Sequence, residues 1–236
     1  MTTKNLLQIV QDAADLLGVA RPSSVINSTD QQIRQLLGFT LKEGQELSEA
    51  TEWEELTVEH TFVTVGAQTQ TNTPIPSDFD RFVPESLWNR TAKRQLIGPR
   101  SSREWQLDQA QSAASTVYQS FRVRGGAFLM YPVPTAGETI AYEYVTKNWA
   151  ESSSGNGKER FTSDDDVFRL DAELMIQGVI WRWKHAKGLD YGEDFVTYER
   201  AVAMAIAADG GAEDLDIGRP NRLDRIYNIP EGGFPS

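Results

Sequence analysis

Phe121-Arg122-Val123-Arg124-Gly125-Gly126-Ala127-Phe128-Leu129-Met130-Tyr131 reads as two strands joined by a two-residue turn. Consecutive glycines accept the positive φ that a tight hairpin demands, and the flanking residues are aromatic, β-branched or apolar. The spacing predicts strands over 117–124 and 127–131. After the Thr135-Ala136-Gly137 turn it predicts a third over 139–147. Upstream, Leu56, Val58, His60 and Phe62 alternate with Thr57, Glu59, Thr61 and Val63, the period of a strand with one covered face. Gly66 to Thr73 is a polar loop, and Thr73-Pro74-Ile75-Pro76 is extended, because proline biases the residue before it away from helix. Ser101 or Ser102 can cap a short helix through Trp105 to Ala114. Residues 53–149 are therefore expected to form a mainly antiparallel sheet with one or two short helices.

On both sides of this segment the apolar period changes to about 3.6. Leu6, Ile9, Val10, Ala13, Leu16 and Leu17 predict a first helix ending at Gly18. Ser28-Thr29-Asp30-Gln31 has the order of a capping box, followed by the stripe Ile33, Leu36, Leu37, Leu41 and Leu47. Gly38 and Gly44 weaken that second helix, and their expected gain is close approach of a neighbouring helix. Ser152-Ser153-Ser154-Gly155-Asn156-Gly157 reads as a flexible linker. Ser163 or Asp164 is expected to cap a third helix carrying Phe168, Leu170, Leu174, Ile176, Val179, Ile180 and Trp183. Tyr191, Phe195, Tyr198, Val202 and Ile206 stripe a fourth, closed by Gly210-Gly211. The expected fold is α+β: a bundle of about four helices (1–52 and 150–211), an antiparallel β-rich insertion between helices 2 and 3 (53–149), and an extended C-terminal arm (212–236).

The 236-residue chain carries a net charge of −11 and no cysteine. Disulfides and thiol chemistry are excluded. No apolar run approaches membrane-helix length, and the first residues lack the basic-then-apolar order of a secretion signal. A protein that grips DNA through phosphates carries a basic face, so tight DNA wrapping is not expected. An acidic lining would let a duplex slide past, although solubility is the simpler use of the charge. The charge is segregated: seven glutamates and no Lys or Arg from Glu43 to Glu59, then six basic residues against one acid from Arg81 to Arg103. These blocks can satisfy each other within one fold or across a repeated head-to-tail contact. Glu49, Glu52, Glu55, Arg90, Arg94 and Arg100 are the candidate interface residues.

Catalytic candidates are thin. His60 lies in a strand pattern and His185 near a helix C-terminus, where it complements the dipole. Asp164-Asp165-Asp166 offers hard oxygen ligands but lacks the glycine and distal glutamate of a calcium loop, so helix capping is the better reading. Gly125-Gly126 matches no phosphate loop, and the serines at 101, 102 and 152–154 have no nucleophile-elbow context. Glu104 and other acids could pair as glycosidase carboxylates, yet no spacing selects a pair. The six tryptophans are better read as core or hinge packing than as stacking platforms. The expectation is no catalytic residue, no metal and no cofactor.

One ordered series of motifs goes further. Phe79-Asp80-Arg81-Phe82, Leu87-Trp88-Asn89-Arg90, Ile97-Gly98-Pro99-Arg100 and Glu104-Trp105 lead to Phe128 through Pro134, then Thr139 to Val145 and Asn148-Trp149. This series resembles the head–tail connector (adaptor) proteins of tailed bacteriophages, the tail tubular protein A and head-completion group. The resemblance spans about residues 5–210 and implies a helical bundle with a β insertion. It also implies twelve copies in a ring below the portal, with DNA passing through unspecifically, no membrane contact and no catalysis. Its implied partners are the portal, tail or nozzle proteins and further copies of itself. Its implied place is the virion neck or tail, after assembly in the host bacterial cytoplasm. Such proteins dock a C-terminal arm on the portal, a role that here falls to Arg219, Arg222, Arg225, Ile226, Tyr227 and Phe234. Another tail-completion or receptor-facing virion protein is the second reading. A cell-wall hydrolase is the third, and its mark would be a cleft of convergent titratable groups.

Overall fold

A computed structural model describes residues 3–110 and 118–210 of the chain. Its elements are, in order, α1 (Leu6–Leu17), α2 (Gln31–Ala50), a 3-10 turn (Glu54–Leu56), β1 (Thr57–Val63), β2 (Thr69–Gln70) and β3 (Phe79–Phe82). Then come β4 (Trp88–Asn89), β5 (Arg94–Ile97), α3 (Ser102–Ala110), β6 (Gln119–Arg124), β7 (Ala127–Tyr131) and β8 (Thr139–Thr146). The chain continues through β9 (Ala150–Glu151), β10 (Gly157–Lys158), β11 (Val167–Phe168), α4 (Ala172–Ala186) and α5 (Gly192–Asp209). The described residues divide into two compact units, 3–57 with 145–210, and 58–144. No described helix is long and apolar enough to cross a membrane.

In the first unit α4 packs against α1, α2 and α5. Leu174, Met175, Ile176, Val179 and Trp183 are all buried, as a helix apolar around most of its circumference requires. α1 starts at a capping box that the sequence reading missed: Asn5 Oδ1 accepts the Gln8 N–H while Gln8 Oε1 accepts the Asn5 N–H. α2 is capped by Asp30, which accepts the Gln32 and Ile33 N–H groups. The expected cap at Ser28 is corrected, since its hydroxyl accepts the Asp30 N–H instead.

Three further expectations for this unit change. Gly44 approaches the indole of Trp149 rather than a helix, and Gly38 has open space beside it. The serine-rich segment 152–157 is a hydrogen-bonded turn joining β9 to β10, with Ser152 N–H donating to Asn156 O and Asn156 N–H to Ser152 Oγ. The third long helix begins at Ala172 with Asp171 as its cap, not at Ser163 or Asp164. Phe168 and Leu170, expected in that helix, precede it, and Phe168 pairs in β11 against Ala150. There it joins an aromatic cluster with Trp149 and Phe161.

The second unit is a sheet in the order β1-β8-β4-β5-β6-β7-β2, with β3 also paired to β8. The β6–β7 hairpin closes with Arg124 opposite Ala127, and Gly125 and Gly126 at φ 58° and 76°. Phe62, Leu87, Leu96, Phe121, Phe128, Met130, Ile140, Tyr142 and Tyr144 form the core. Phe121 and Phe128 stack with centroids 5.2 Å apart. The sheet is mixed: β2–β7, β4–β5, β4–β8 and β6–β7 are antiparallel as expected, but Leu96 and Ile97 pair in parallel with Gln119 and Ser120. A parallel neighbour needs a crossover, and the connection carrying α3 supplies it. Ser101 caps α3, its Oγ accepting the Glu104 N–H while Glu104 Oε2 accepts the Ser101 N–H.

Candidate interaction surfaces

The helical unit contains one buried ionic node. Glu43 sits on the core stripe of α2, one turn from Thr40 and from Leu47, and is fully buried. Arg182 Nε donates to Glu43 Oε2 at 2.7 Å, Arg182 Nη2 donates to Glu46 Oε2 at 2.5 Å, and Tyr198 Oη donates to Glu43 Oε1 at 2.5 Å. The node joins α2, α4 and α5. Burial pushes the Glu43 carboxyl above its ordinary range, and the Tyr198 and Arg182 contacts oppose that shift without cancelling it. Both Glu43 oxygens are engaged, one by Arg182 and one by Tyr198, so the node fixes the register of three helices.

Glu49, Glu52 and Glu55 are exposed at the end of this unit where α2 runs into the 3-10 turn. Glu49 accepts from Gln45 Nε2 at 3.0 Å. The Glu55 carbonyl accepts the Arg169 guanidinium, and the Glu54 N–H donates to Asp209 Oδ2 at 2.9 Å. α5 therefore ends beside the end of α2.

The basic candidates lie on the sheet unit. Arg90 and Arg94 flank the β4–β5 turn, where Asn89 Oδ1 accepts the Ala92 N–H at 2.8 Å. Arg90 Nη2 contacts Glu59 Oε2 at 2.6 Å with both side chains half exposed, and Arg94 is exposed. The sequence blocks thus meet within one chain at Glu59–Arg90. Arg100 is turned inward: its Nε donates to Asp108 Oδ2 at 3.1 Å, and Ser120 Oγ donates to the same oxygen at 2.8 Å. That trio fastens α3 to β6. Beside Arg90, the partly exposed Trp88 edges a shallow depression of about 240 Å³ that Glu59, Ser86, Ala141 and Glu143 complete. Arg219, Arg222, Arg225, Ile226, Tyr227 and Phe234 lie outside the described residues.

The catalytic and metal candidates have structural occupations. His60 Nε2 meets Thr73 O at 2.9 Å, and its ring packs edge-on against Tyr142 and Tyr144. Tyr144 donates to Asp78, and burial with that carboxylate pushes its hydroxyl up to about 12. His185 sits in the last turn of α4 against Tyr191. Asp164, expected as a helix cap, accepts Ser24 Oγ at 2.7 Å and the Ile26 N–H at 2.8 Å, far back in sequence. Desolvation acts to raise its pKa, and these hydrogen bonds outweigh it, so Asp164 lies below the ordinary carboxylate range. Asp166 behaves alike, held by Lys158 Nζ at 2.6 Å and the Thr162 and Ser163 N–H groups. Asp165 is exposed. Among the described residues no three His, Asp or Glu side chains converge to hold a metal.

The sequence reading missed both internal nodes. Glu43 carried a signal, since it occupies an apolar-stripe position, and so did Arg182 between Trp181 and Trp183. Asp108 and Ser120 carried none, because only the parallel crossover brings them together. A family model described as SU10 adaptor protein matches residues 4–226 of the chain. No curated protein matches it.

Proposed function

The chain belongs to the SU10 adaptor protein family, and from that premise we propose that it is a ring subunit joining the portal to the tail of a phage virion. Membership makes it a structural adaptor of a phage particle. The single observation supporting the finer reading is that the match runs through both compact units and beyond α5, so it rests on nearly the whole chain and not on one part of it.

In this reading the helical part (1–52 and 150–211) forms the ring body, the insertion (53–149) carries the Trp88 surface, and the arm (212–236) reaches the portal. Copies meet through two different patches, as a closed ring requires. The net charge of −11 suits a channel past which DNA slides without being gripped. The Glu43–Arg182–Tyr198 and Arg100–Asp108–Ser120 groups tie their elements together as scaffold, in keeping with a structural part. Cryo-electron microscopy of the virion neck, with the subunit built into the map, tests the assignment. A ring of this chain between portal and tail supports it. Finding the chain at the distal tail tip or only inside the head overturns it.

A further inference from the structure

The helical unit has one half-covered face. α5 is 18 residues long, and none of its side chains is fully buried. Two contacts fix it along α2 and the 3-10 turn that follows, Tyr198 to Glu43 and Asp209 to the Glu54 N–H, with the same sequence offset of 155. α5 therefore runs in the same direction as α2, and both helices pack closely on α4. Between these anchors Val202, Ala205 and Ile206 of α5 are only half-buried, and Ala50 of α2 is exposed. Around this apolar strip stand the exposed Glu46, Glu49, Glu52, Glu54 and Glu55. Of the basic groups near it, Arg182 and Lys42 are directed at Glu46 and Arg169 at the Glu55 carbonyl.

The chain leaves α5 at this spot. The residues that follow place Arg219, Arg222 and Arg225 at three-residue intervals, with Leu223, Ile226 and Tyr227 among them. Residues 219–227 carry these three arginines against the single acid Asp224, a charge opposite to the rim, whereas residues 211–218 hold Glu213, Asp214 and Asp216; Leu223, Ile226 and Tyr227 match the strip. From Gly210 to Arg219 an extended chain reaches about 30 Å, the length of a helix of about 20 residues such as α2.

We propose that residues 219–227 occupy the α2–α5 groove of their own subunit. The three arginines pair with the rim glutamates, and Ile226 and Tyr227 cover Val202, Ala205 and Ile206. This concerns the free subunit and goes beyond the ring assignment. If the arm also serves the portal, as that assignment holds, the groove keeps it on the subunit until the portal competes for the same residues.

Hydrogen exchange of the purified protein tests the proposal without any virion. Three chains are compared at about 0.15 M salt: the full chain, the chain ending at Gly210, and the full chain with Arg219→Glu, Arg222→Glu and Arg225→Glu. Peptides covering residues 46–50 and 202–209 are expected to exchange at least about fivefold faster in the second and third chains. Glu49→Lys, Glu52→Lys and Glu55→Lys added to the charge-reversed arm are expected to restore slow exchange. Equal exchange in the full and charge-reversed chains overturns the proposal, even if the truncated chain fails to fold. Protection that grows with protein concentration also overturns it, because the arm would then come from a second copy. The ring assignment stands or falls separately on the neck reconstruction.

Discussion

Gly178 of α4 packs so closely on the carboxylate of Glu43 that a Cβ at position 178 would overlap it. The carboxylate has no free direction of retreat, since Arg182 holds one oxygen and Tyr198 the other. Gly178→Ala is therefore expected to destabilise the helical unit by about 1–3 kcal/mol through overpacking. The gain of about 1 kcal/mol in helix propensity works against this and is too small to reverse it. Urea denaturation at neutral pH measures the sum. A midpoint at or above wild type would show that Glu43 relaxes freely.

The same node separates two kinds of loss. Tyr198→Phe keeps the ring beside Trp181 and removes one hydroxyl donor, for an expected cost of about 1 kcal/mol. Arg182→Met strands Glu43 without its cation, and the expected cost is about 3–5 kcal/mol. Adding Glu43→Gln to Arg182→Met is expected to recover part of that loss. A double-mutant cycle with additive effects would show that the two residues do not form a unit.

Local patterns were legible in the sequence and long-range ones were not. The β6–β7 hairpin could be read because its turn, alternation and register all lie within residues 119–131. The stripes of α2 and α5 were legible for the same reason, as was the α+β class; that of α1 was legible except at Leu16, which is exposed. Asp164 looked like a helix cap because acids before an apolar run usually are, yet its partners are Ser24, Val25 and Ile26. The start of α4 was misplaced because Phe168 and Leu170 have period two and were fitted to 3.6. The parallel β5–β6 pair was hidden because direction depends on where the crossover returns. Of the candidate interface residues, Arg100 has an intrachain partner that the sequence did not reveal, Asp108 being on a helix face that spacing alone did not mark as covered.

Two glycines of α2 give opposite expectations. Gly38 has open space where a Cβ would stand, so Gly38→Ala is expected to stabilise by roughly 0.5–1 kcal/mol. At Gly44 a Cβ would meet the Trp149 ring at 2.6 Å, within the cluster that Phe161 and Phe168 complete. Gly44→Ala is expected to destabilise by about 1–3 kcal/mol. Thermal unfolding of the two variants should shift in opposite directions, and shifts of the same sign would contradict the packing at one of them.

Asp164 and Asp166 on one side and Glu43 on the other predict opposite pH slopes. Asp164 and Asp166 have depressed pKa values, so the unfolded chain takes up their protons first as pH falls. Their contribution is present above the ordinary carboxylate value of about 4 and is lost as pH drops through the folded values. Glu43 is raised, so its contribution is full below the ordinary value and declines as pH rises through the folded one. Asp164→Asn should flatten the loss of stability in acid, and Glu43→Gln should flatten the decline on the less acidic side. Denaturation midpoints from about pH 3 to 8 check both signs. Parallel profiles for wild type and both variants would refute the assignments.

The Glu59–Arg90 pair frames the last test, because it gives Arg90 a partner inside its own chain. Both side chains are half exposed, so losing the pair should change stability by only about 0–1 kcal/mol. Arg90→Glu with Arg94→Glu should therefore yield a folded protein. If Arg90 and Arg94 on one subunit face Glu49, Glu52 and Glu55 on the next, this charge-reversed protein should form no rings with portal assemblies. A second variant, Glu49→Arg with Glu52→Arg and Glu55→Arg, should also fail alone. Carrying both sets in one chain should restore rings, since each contact then has opposite charges again. Arg100 is omitted because Asp108 already holds it within the subunit. Electron microscopy of the reconstituted complexes provides the readout. Rings at wild-type yield from the Arg90→Glu, Arg94→Glu protein would leave these charges with an intrachain role only.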